Sequence, residues 1–394
     1  VKTKSGSSLK HNQLSLYGGS YNTFAPSLQL GGEKGRFEYF TTLSFNRNNI
    51  GIENPTSSFR PVHDVTEQEK GFGYFSWRLD DTSRISLLTS ASYAKFELPN
   101  TPRLPQIYAV SGSSPDDKNL QSRYLNDSQT EQNYYAVLSY QHSLDKLNFQ
   151  VSPFFRYGRI DYTPDPIRDL MFQGVAQHEI NDFTTAGAQF DLSWEITHQH
   201  TLRAGFLGQY TAERLDTDTL LFPVDETGLQ LSTVPKRMID NTGNWSAEAG
   251  AYIQDEYHIT RKLTLNYGAR YDRFASSFGN QGQLSPRVNI VWKPTGKTTF
   301  HLGYSRYFAP PSPQYIHPTT LARFSGTTNA PENTTDTPTR VETSHYIDAG
   351  ILQHVTHDFQ ITIDAYSKWA HNLTDLGQFG RAVILAPFSY RRGQ

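Results

Sequence analysis

The chain has no cysteine and only 2 methionines among its 394 residues. The absence of thiols excludes disulfide staples, thiolate nucleophiles and cysteine-based metal sites, and it suits a protein that crosses an oxidising compartment before folding. Long hydrophobic runs are missing too. The longest, Ala382 to Phe388, falls far short of the roughly 18 to 20 apolar residues that a spanning helix needs. Charge is balanced, 36 Lys and Arg against 38 Asp and Glu for a net charge of −2, so no basic footprint for nucleic acid exists. The signatures of common catalytic sites are absent as well, with neither HExxH nor GxSxG present. Gly31 to Gly35 reads Gly-Gly-Glu-Lys-Gly, but the pattern after it is that of a strand, and a phosphate loop needs a following helix. No catalytic residue, metal site or cofactor is therefore assigned. The opening residues lack a basic stretch followed by an apolar core, which points to a removed signal peptide or a missing N-terminus.

What the chain does have is aromatics, with 23 Tyr and 24 Phe, and a strict alternation of residue character. From Lys146 to Tyr157, Leu147, Phe149, Val151, Phe155 and Tyr157 fall on one phase, and Asn148, Gln150, Ser152 and Arg156 on the other. Thr185 to Ile196 repeats the pattern, with Ala186, Ala188, Phe190, Leu192, Trp194 and Ile196 against Gly187, Gln189, Asp191, Ser193 and Glu195. Period two places these sets on opposite faces of a strand. A membrane β-barrel uses only about 9 to 11 residues per crossing and makes every second one polar. A mean hydropathy of −0.59 is thus compatible with a membrane protein. Trp77, Tyr140, Trp194 and Trp292 each precede a tight turn, the place for an interfacial girdle.

Two kinds of connection alternate along the chain. Short ones are expected at Gly31 to Gly35, Asp80 to Ser83, Asp145 to Lys146, His198 to His200, Thr260 to Lys262, Pro294 to Gly296 and Thr356 to Asp358. Longer ones are expected at Asn48 to Thr66, Pro99 to Thr130, Pro164 to Gln177, Asp216 to Asn244, Ser276 to Gly282, Ala309 to Arg340 and Asn372 to Arg381. Antiparallel neighbours joined in this way put all tight turns at one rim, the periplasmic one, and all long loops outside the cell. The fold class that follows is all-β: a transmembrane antiparallel up-and-down barrel of about 16 strands, with irregular, solvated long loops and no helices between strands.

Arg156, Asp191, Arg203, Glu248, Arg270 and Arg287 fall on the polar phase of their strands, together with Glu195, Glu213, Glu256 and Asp272. An Arg turned to mid-membrane lipid costs about 2 to 4 kcal/mol, so these side chains are expected to face the lumen, as a hydrated, salt-bridged wall, as contacts to a segment plugging the lumen, or as guides for a ligand. The long loops offer aromatic and Arg side chains over a rigid scaffold: Arg103, Tyr108 and Tyr124 in one, Tyr315, His317, Arg323 and Phe324 in another. These are candidate ligand anchors, with loop packing as the alternative reading. His198 with His200, and His354 with His357, fall at expected tight turns without a clustered carboxylate set and are read as solvated histidines.

Val1-Lys-Thr-Lys-Ser-Gly6 resembles the last plug strand of TonB-dependent outer-membrane receptors, and Tyr17-Gly-Gly-Ser-Tyr-Asn-Thr23 resembles the first hairpin of their barrel. Ala251 to Tyr257, Leu265 to Asp272, Ser285 to Arg287 and Gly303 to Pro310 are similar to strand motifs in the middle of that barrel. The resemblance spans essentially the whole chain. It implies residues 1–6 as the end of a plug domain and 7–394 as part of a barrel of about 22 strands, hence a fragment. It further implies a bacterial outer-membrane location and contact with outer-membrane lipid. Through the missing plug and its TonB box it implies coupling to the TonB complex, for uptake of a scarce, bulky solute such as an iron-siderophore, cobalamin or a carbohydrate. Departures from the family are the absent plug body and the ending Arg391-Arg-Gly-Gln394 in place of a terminal aromatic residue. A passive porin is the alternative, and a barrel adhesin or enzyme a third reading.

Overall fold

A backbone crossing lipid has no water to bond to, so each strand must pair along its whole length with a neighbour. The computed structural model, described here for residues 4–9, 11–51, 62–114, 117–277, 279–311, 322–330, 340–376 and 387–390, meets this requirement with one antiparallel 17-stranded sheet. Its first strands are short: β1 (Gln13–Ser15), β2 (Gly18–Gly19), β3 (Thr23–Phe24) and β4 (Ser27–Lys34). The body follows as β5 (Phe37–Asn48), β6 (Thr66–Arg78), β7 (Ser83–Glu97), β8 (Ser128–Leu144) and β9 (Leu147–Thr163). After a short helix α1 (Pro166–Phe172) come β10 (Val175–Thr197), β11 (His200–Leu221), β12 (Lys236–Thr260), β13 (Leu263–Ser276) and β14 (Gly279–Thr295). The sheet ends with β15 (Thr298–Ala309), β16 (Glu342–His354) and β17 (Gln360–His371), and a separate hairpin pairs β18 (Leu373–Leu376) with β19 (Pro387–Tyr390).

From β4 to β17 every strand pairs with its sequence neighbours. At the N-terminal edge the pairings are β1 with β4, β2 with β3, and Phe24 of β3 with Arg47 of β5. Thus β1 with β2, and β3 with β4, are two broken crossings joined by the Ser20-Tyr21-Asn22 turn, where Tyr21 and Asn22 adopt positive φ. Counted in crossings rather than strands, the sheet has 15 among the described residues, one short of the expected number, because the strand expected after Ile384 appears as β19 in the separate hairpin.

Six of the seven short turns fall where the sequence places them; the one expected at Gly31 to Gly35 is mostly strand, since β4 runs to Lys34 and leaves only Gly35 and Arg36 as the turn. Four long connections differ, β18 lying within the loop expected from Asn372 to Arg381. The loop expected from Asp216 to Asn244 is mostly sheet, since β11 runs to Leu221 and β12 restarts at Lys236. Ser276 to Gly282 is a tight connection, with Ser276 opposite Gly279. Pro164 to Gln177 contains α1, against the expectation of no helix between strands. Asp165 caps it by accepting from the Arg168 amide at 3.1 Å, Pro166 follows, and Gly174 stops it at a φ of 81°. An Asp N-cap followed by Pro, with Gly just past the end, is a helix signal that a loop-rich composition hides.

The outer face of β9 to β12 shows where the membrane lies. In register across these strands are Leu147 with Trp194, Phe149 with Leu192, Val151 with Phe190, and Phe190 with Phe206. Val151, Phe206, Val288, Ile290, Phe300, Leu302, Ile361 and Ile363 on this phase are exposed. Trp77, Trp194 and Trp292 are also exposed, just before their turns, and form the inner girdle. On β11 the apolar band runs from Leu202, opposite Trp194, to Tyr210, which stacks on Trp245 at 6.3 Å. That is one membrane crossing of about 9 residues.

Beyond Tyr210 the two faces exchange character. Outward positions carry ion pairs, Arg214 with Asp216 and Arg237 with Asp218, while the inward Leu215, Thr217, Thr219 and Leu221 are buried. Strands β10 to β12, at 23, 22 and 25 residues, therefore rise well past the bilayer into water. Spin labels at Phe206 and Asp218, both on the outer face of β11, are expected to fall into opposite classes in bilayers, lipid-accessible oxygen relaxing the first and aqueous reagent the second. Lipid access at Asp218 would move the boundary and refute this placement.

Candidate functional site

The raised strands carry a crown of loops that are tied to one another. Residues 98–127 reach the helix loop through the Ile107 and Tyr108 amides, which donate to the Met171 carbonyl at 3.0 and 3.1 Å. They reach residues 222–235 through Gln230, whose side chain accepts from the Ala109 amide at 2.9 Å and donates to the Ala109 carbonyl at 2.7 Å. The segment 322–330 joins in turn, with Thr328 donating its amide to the Phe222 carbonyl and its hydroxyl to the Gly174 carbonyl. Apolar packing fills the space between. Leu125, Met171 and Phe172 form one buried cluster, and Leu170, Ala176 and Phe222 another, both backed by Val110.

This crown sets the position of each loop candidate. Tyr108, half-buried, stacks on Phe222 at 6.0 Å, and Phe324 is 2% exposed, so both rings take part in packing and Phe324 offers a ligand no face. Arg323 donates to Asp240 at 3.1 Å and to the Ile239 carbonyl, fixing its loop to β12. Arg103 and Tyr124 are exposed on the crown. Arg103, at a φ of 67°, borders a cavity of about 590 Å³ with Leu104, Asp117, Arg123 and Phe172. Arg123 lies 5.3 Å over the Tyr124 ring. Tyr315 and His317 lie outside the described residues. Arg103 thus shares this cavity with Arg123, to which Tyr124 is joined, and the candidates from 309–340 that are described sit elsewhere.

Below the crown, the polar phase of the strands forms the concave wall. Arg203 pairs with Glu256 at 2.9 Å and Arg270 with Asp272 at 2.6 Å. Asp191 accepts from the Tyr252 hydroxyl at 2.8 Å and from Gln189, and Glu248 accepts from Gln209 at 3.1 Å. Arg156 rests on the Phe183 ring at 4.9 Å. Arg287 shares this phase with the buried Ser285 and Gln283. The wall thus carries polar side chains bonded both along a strand, as Arg270 with Asp272, and across strands, as Arg203 with Glu256, which leaves a polar route along the sheet's inner side.

Sequence reading missed the carboxylates under the crown. Asp127, Asp165 and Asp169 are all buried, and the Asp165 amide bridges the other two, donating to Asp127 at 2.9 Å and Asp169 at 3.2 Å. Arg168 neutralises Asp165 at 2.5 Å. Burial, then the neighbouring Asp127 charge and the hydrogen bond to Asp127, pushes Asp169 up to about 9, and burial raises Asp127 also. One proton shared between two buried carboxyls thus clips α1 to the end of the 98–127 loop. Only the spacing of Asp165 and Asp169, one helical turn apart, was visible in the sequence, and nothing there points to Asp127.

The model for "TonB dependent receptor-like, beta-barrel" matches residues 97–383. No curated protein matches the sequence. Among solved structures, the ferric yersiniabactin uptake receptor FyuA from Yersinia pestis is similar at a TM-score of 0.64 and 12% identity, over 90% of this chain and 53% of that one. The copper transporter OprC gives 0.65 and 14%, over 92% and 54%. The siderophore receptor PiuA from Acinetobacter baumannii gives 0.59 and 15%, over 91% and 57%. At these identities the likeness is one of fold, and the chain spans about half the length of the structures it matches.

The carboxyl clip makes the crown sensitive to alkali. Asp169 holds its proton more tightly when folded than in an unfolded chain, where it titrates near about 4. Its contribution is thus full below that value and is lost as pH rises through about 9. Amide exchange and protease nicking of 164–174 are expected to increase across this range, and Asp169→Asn is expected to remove the step. An alkaline step that survives in Asp169→Asn would assign it to another group.

Proposed function

The chain belongs to the TonB-dependent receptor-like β-barrel family of the bacterial outer membrane, and from that membership we propose that it forms the barrel of an energised receptor and transporter. The crown captures a scarce, bulky solute, a metal chelate such as an iron-siderophore being the leading class, and the polar inner wall passes it inward. The solved structures that share this fold include receptors for siderophores and a copper transporter.

One observation favours an energised receptor over a passive pore. The N-terminal segment lies on the inner face of the sheet: Ser7 donates its amide and hydroxyl to Glu38 at 2.8 and 2.6 Å, and Lys4 donates to Gln29 at 2.9 Å. Glu38 lies on the phase opposite the exposed Leu43. A chain entering along the lumen wall supports residues 1–6 as the end of a plug, through which the TonB complex would pull. A porin has no need of such a segment. Arg103 and Tyr124, exposed beside the crown cavity, are the loop residues best placed to meet a ligand, and Tyr315 and His317 remain candidates from the sequence.

Uptake by the full-length receptor is expected to need both TonB and the proton gradient, since a plugged lumen does not open by diffusion. The measurement is accumulation of labelled solute in cells with and without TonB, and equal uptake would favour the porin reading. Replacing 310–341 with a short linker removes Phe324 and Arg323 from the crown. Capture should weaken while the barrel stays folded, because rim loops add little to the strand ladder. Loss of heat-modifiable migration in that variant would show the loop to be structural.

A further inference from the structure

The inner wall of β8 to β12 contains a second cavity of about 590 Å³, lined by Glu131, Phe154, Arg156, Phe183, Glu213 and Glu248 among others. Glu213 sets it apart. The residue is 5% exposed, and neither carboxylate oxygen has a hydrogen-bond partner or reaches water. The neutral amide of Asn181 interacts with it but brings no charge, and its own Oδ1 is unpartnered. Buried polar groups in proteins are nearly always satisfied, and one that is not points to a partner that arrives from outside. The other carboxylates are only partly met: Glu131 accepts from Gln129 at 2.7 Å and Glu248 from Gln209 at 3.1 Å, both neutral amides.

Two arginines border this space: Arg156 is turned to the Phe183 ring and to Asn133 Oδ1 at 3.5 Å, and Arg159 is already paired with Asp161 and Asp182, each at 3.1 Å. With Arg159 answered by its own partners, three acidic side chains face Arg156 and leave the cavity with an excess of acidic groups. Its apolar surface is flat and aromatic. The Phe183 ring lies across Gly158, filling the space a Cβ there would take, and Phe154 continues the surface. A cation with a hydrocarbon arm complements both properties: the charge completes the carboxylates, and the arm lies along the rings.

We propose that this inner-wall cavity binds an organic ammonium group, with Glu213 and Glu248 holding the cation and Phe154 and Phe183 its hydrocarbon. On the receptor reading above it is a station on the lumen wall for a solute with a cationic arm, although binding at equilibrium needs neither TonB nor a proton gradient.

The full-length receptor in detergent micelles is titrated with 2-phenylethylammonium and, as an uncharged probe of the same shape, 2-phenylethanol. Calorimetry gives the affinities, and 19F resonances of fluorophenylalanine at positions 154 and 183 report the place. The ammonium is expected to bind at least roughly tenfold more tightly than the alcohol and to shift both resonances, with Glu213→Gln losing roughly tenfold and Arg156→Gln gaining affinity. Glu248→Gln serves as the second acidic variant where Glu213→Gln fails to give a heat-modifiable barrel. Equal affinity for the two probes, no binding of the ammonium at tens of millimolar, or unchanged affinity in the acidic variants overturns the proposal. Each of those results leaves the TonB dependence of uptake standing, and TonB-independent uptake would leave a bound ammonium standing.

Discussion

Lipid offers the backbone no hydrogen-bond partner, and most features of this molecule descend from that one restriction. It forces each crossing into a ladder with its neighbours, so successive strands such as β10 and β11 stay in register from Trp194 with Leu202 to Val175 with Leu221. The ladder fixes the pleat, and the pleat sends alternate side chains to lipid and to the inner wall. Phe190 and Phe206 thus meet on one side while Gln189 and Asp191 bond each other on the other. Charge that would be costly in lipid becomes useful on the inner wall, where Arg203 of β11 pairs with Glu256 of β12 and Arg270 with Asp272 along β13.

The same ladder explains how the crown is held. Strands that continue past the bilayer no longer face hydrocarbon, and water rewards the opposite arrangement, charges outward and apolar groups inward. Leu215 and Leu221 turn inward and are buried, and at the strand's end Leu220 packs against the cluster of Leu170, Ala176 and Phe222. The crown therefore has a small core of its own, built on the raised ends of β10 to β12. A ligand arriving from outside meets a surface that is braced from below rather than a set of free loops.

How much of this was legible in the sequence follows from which interactions are local. Most short turns were, because Asp145-Lys146 or His198-Gln-His200 interrupts an alternation that resumes at once, whereas the glycines at Gly31 and Gly32 read as a turn and are strand. The membrane-facing residues were, because period two needs only a few neighbours to declare itself. The raised part of β11 and β12 was not. Between Asp216 and Asn244 the alternation continues with its sense reversed, and a reading that expects apolar residues outward takes polar outward positions such as Asp216 and Asp218 for loop. Helix α1 was hidden by the same habit, although Asp165, Pro166 and Gly174 mark its ends.

The roles of crown and wall residues depend on contacts between distant segments, and no local pattern carries those. Tyr108 and Phe324 look like ligand anchors in sequence, yet each becomes packing once Phe222 and the 322–330 segment arrive beside it. Glu213 looked like any other lumen carboxylate. Its isolation arises only when β10 and β12 close over it and the nearby Arg156 is drawn away to Phe183. An inward charge is ordinary where a cross-strand partner answers it, as Glu256 answers Arg203, and it becomes a mark of function where none does. Pairing across the ladder is thus the criterion that separates structural charges such as Arg203 and Glu256 from Glu213, on which the proposed cation site rests.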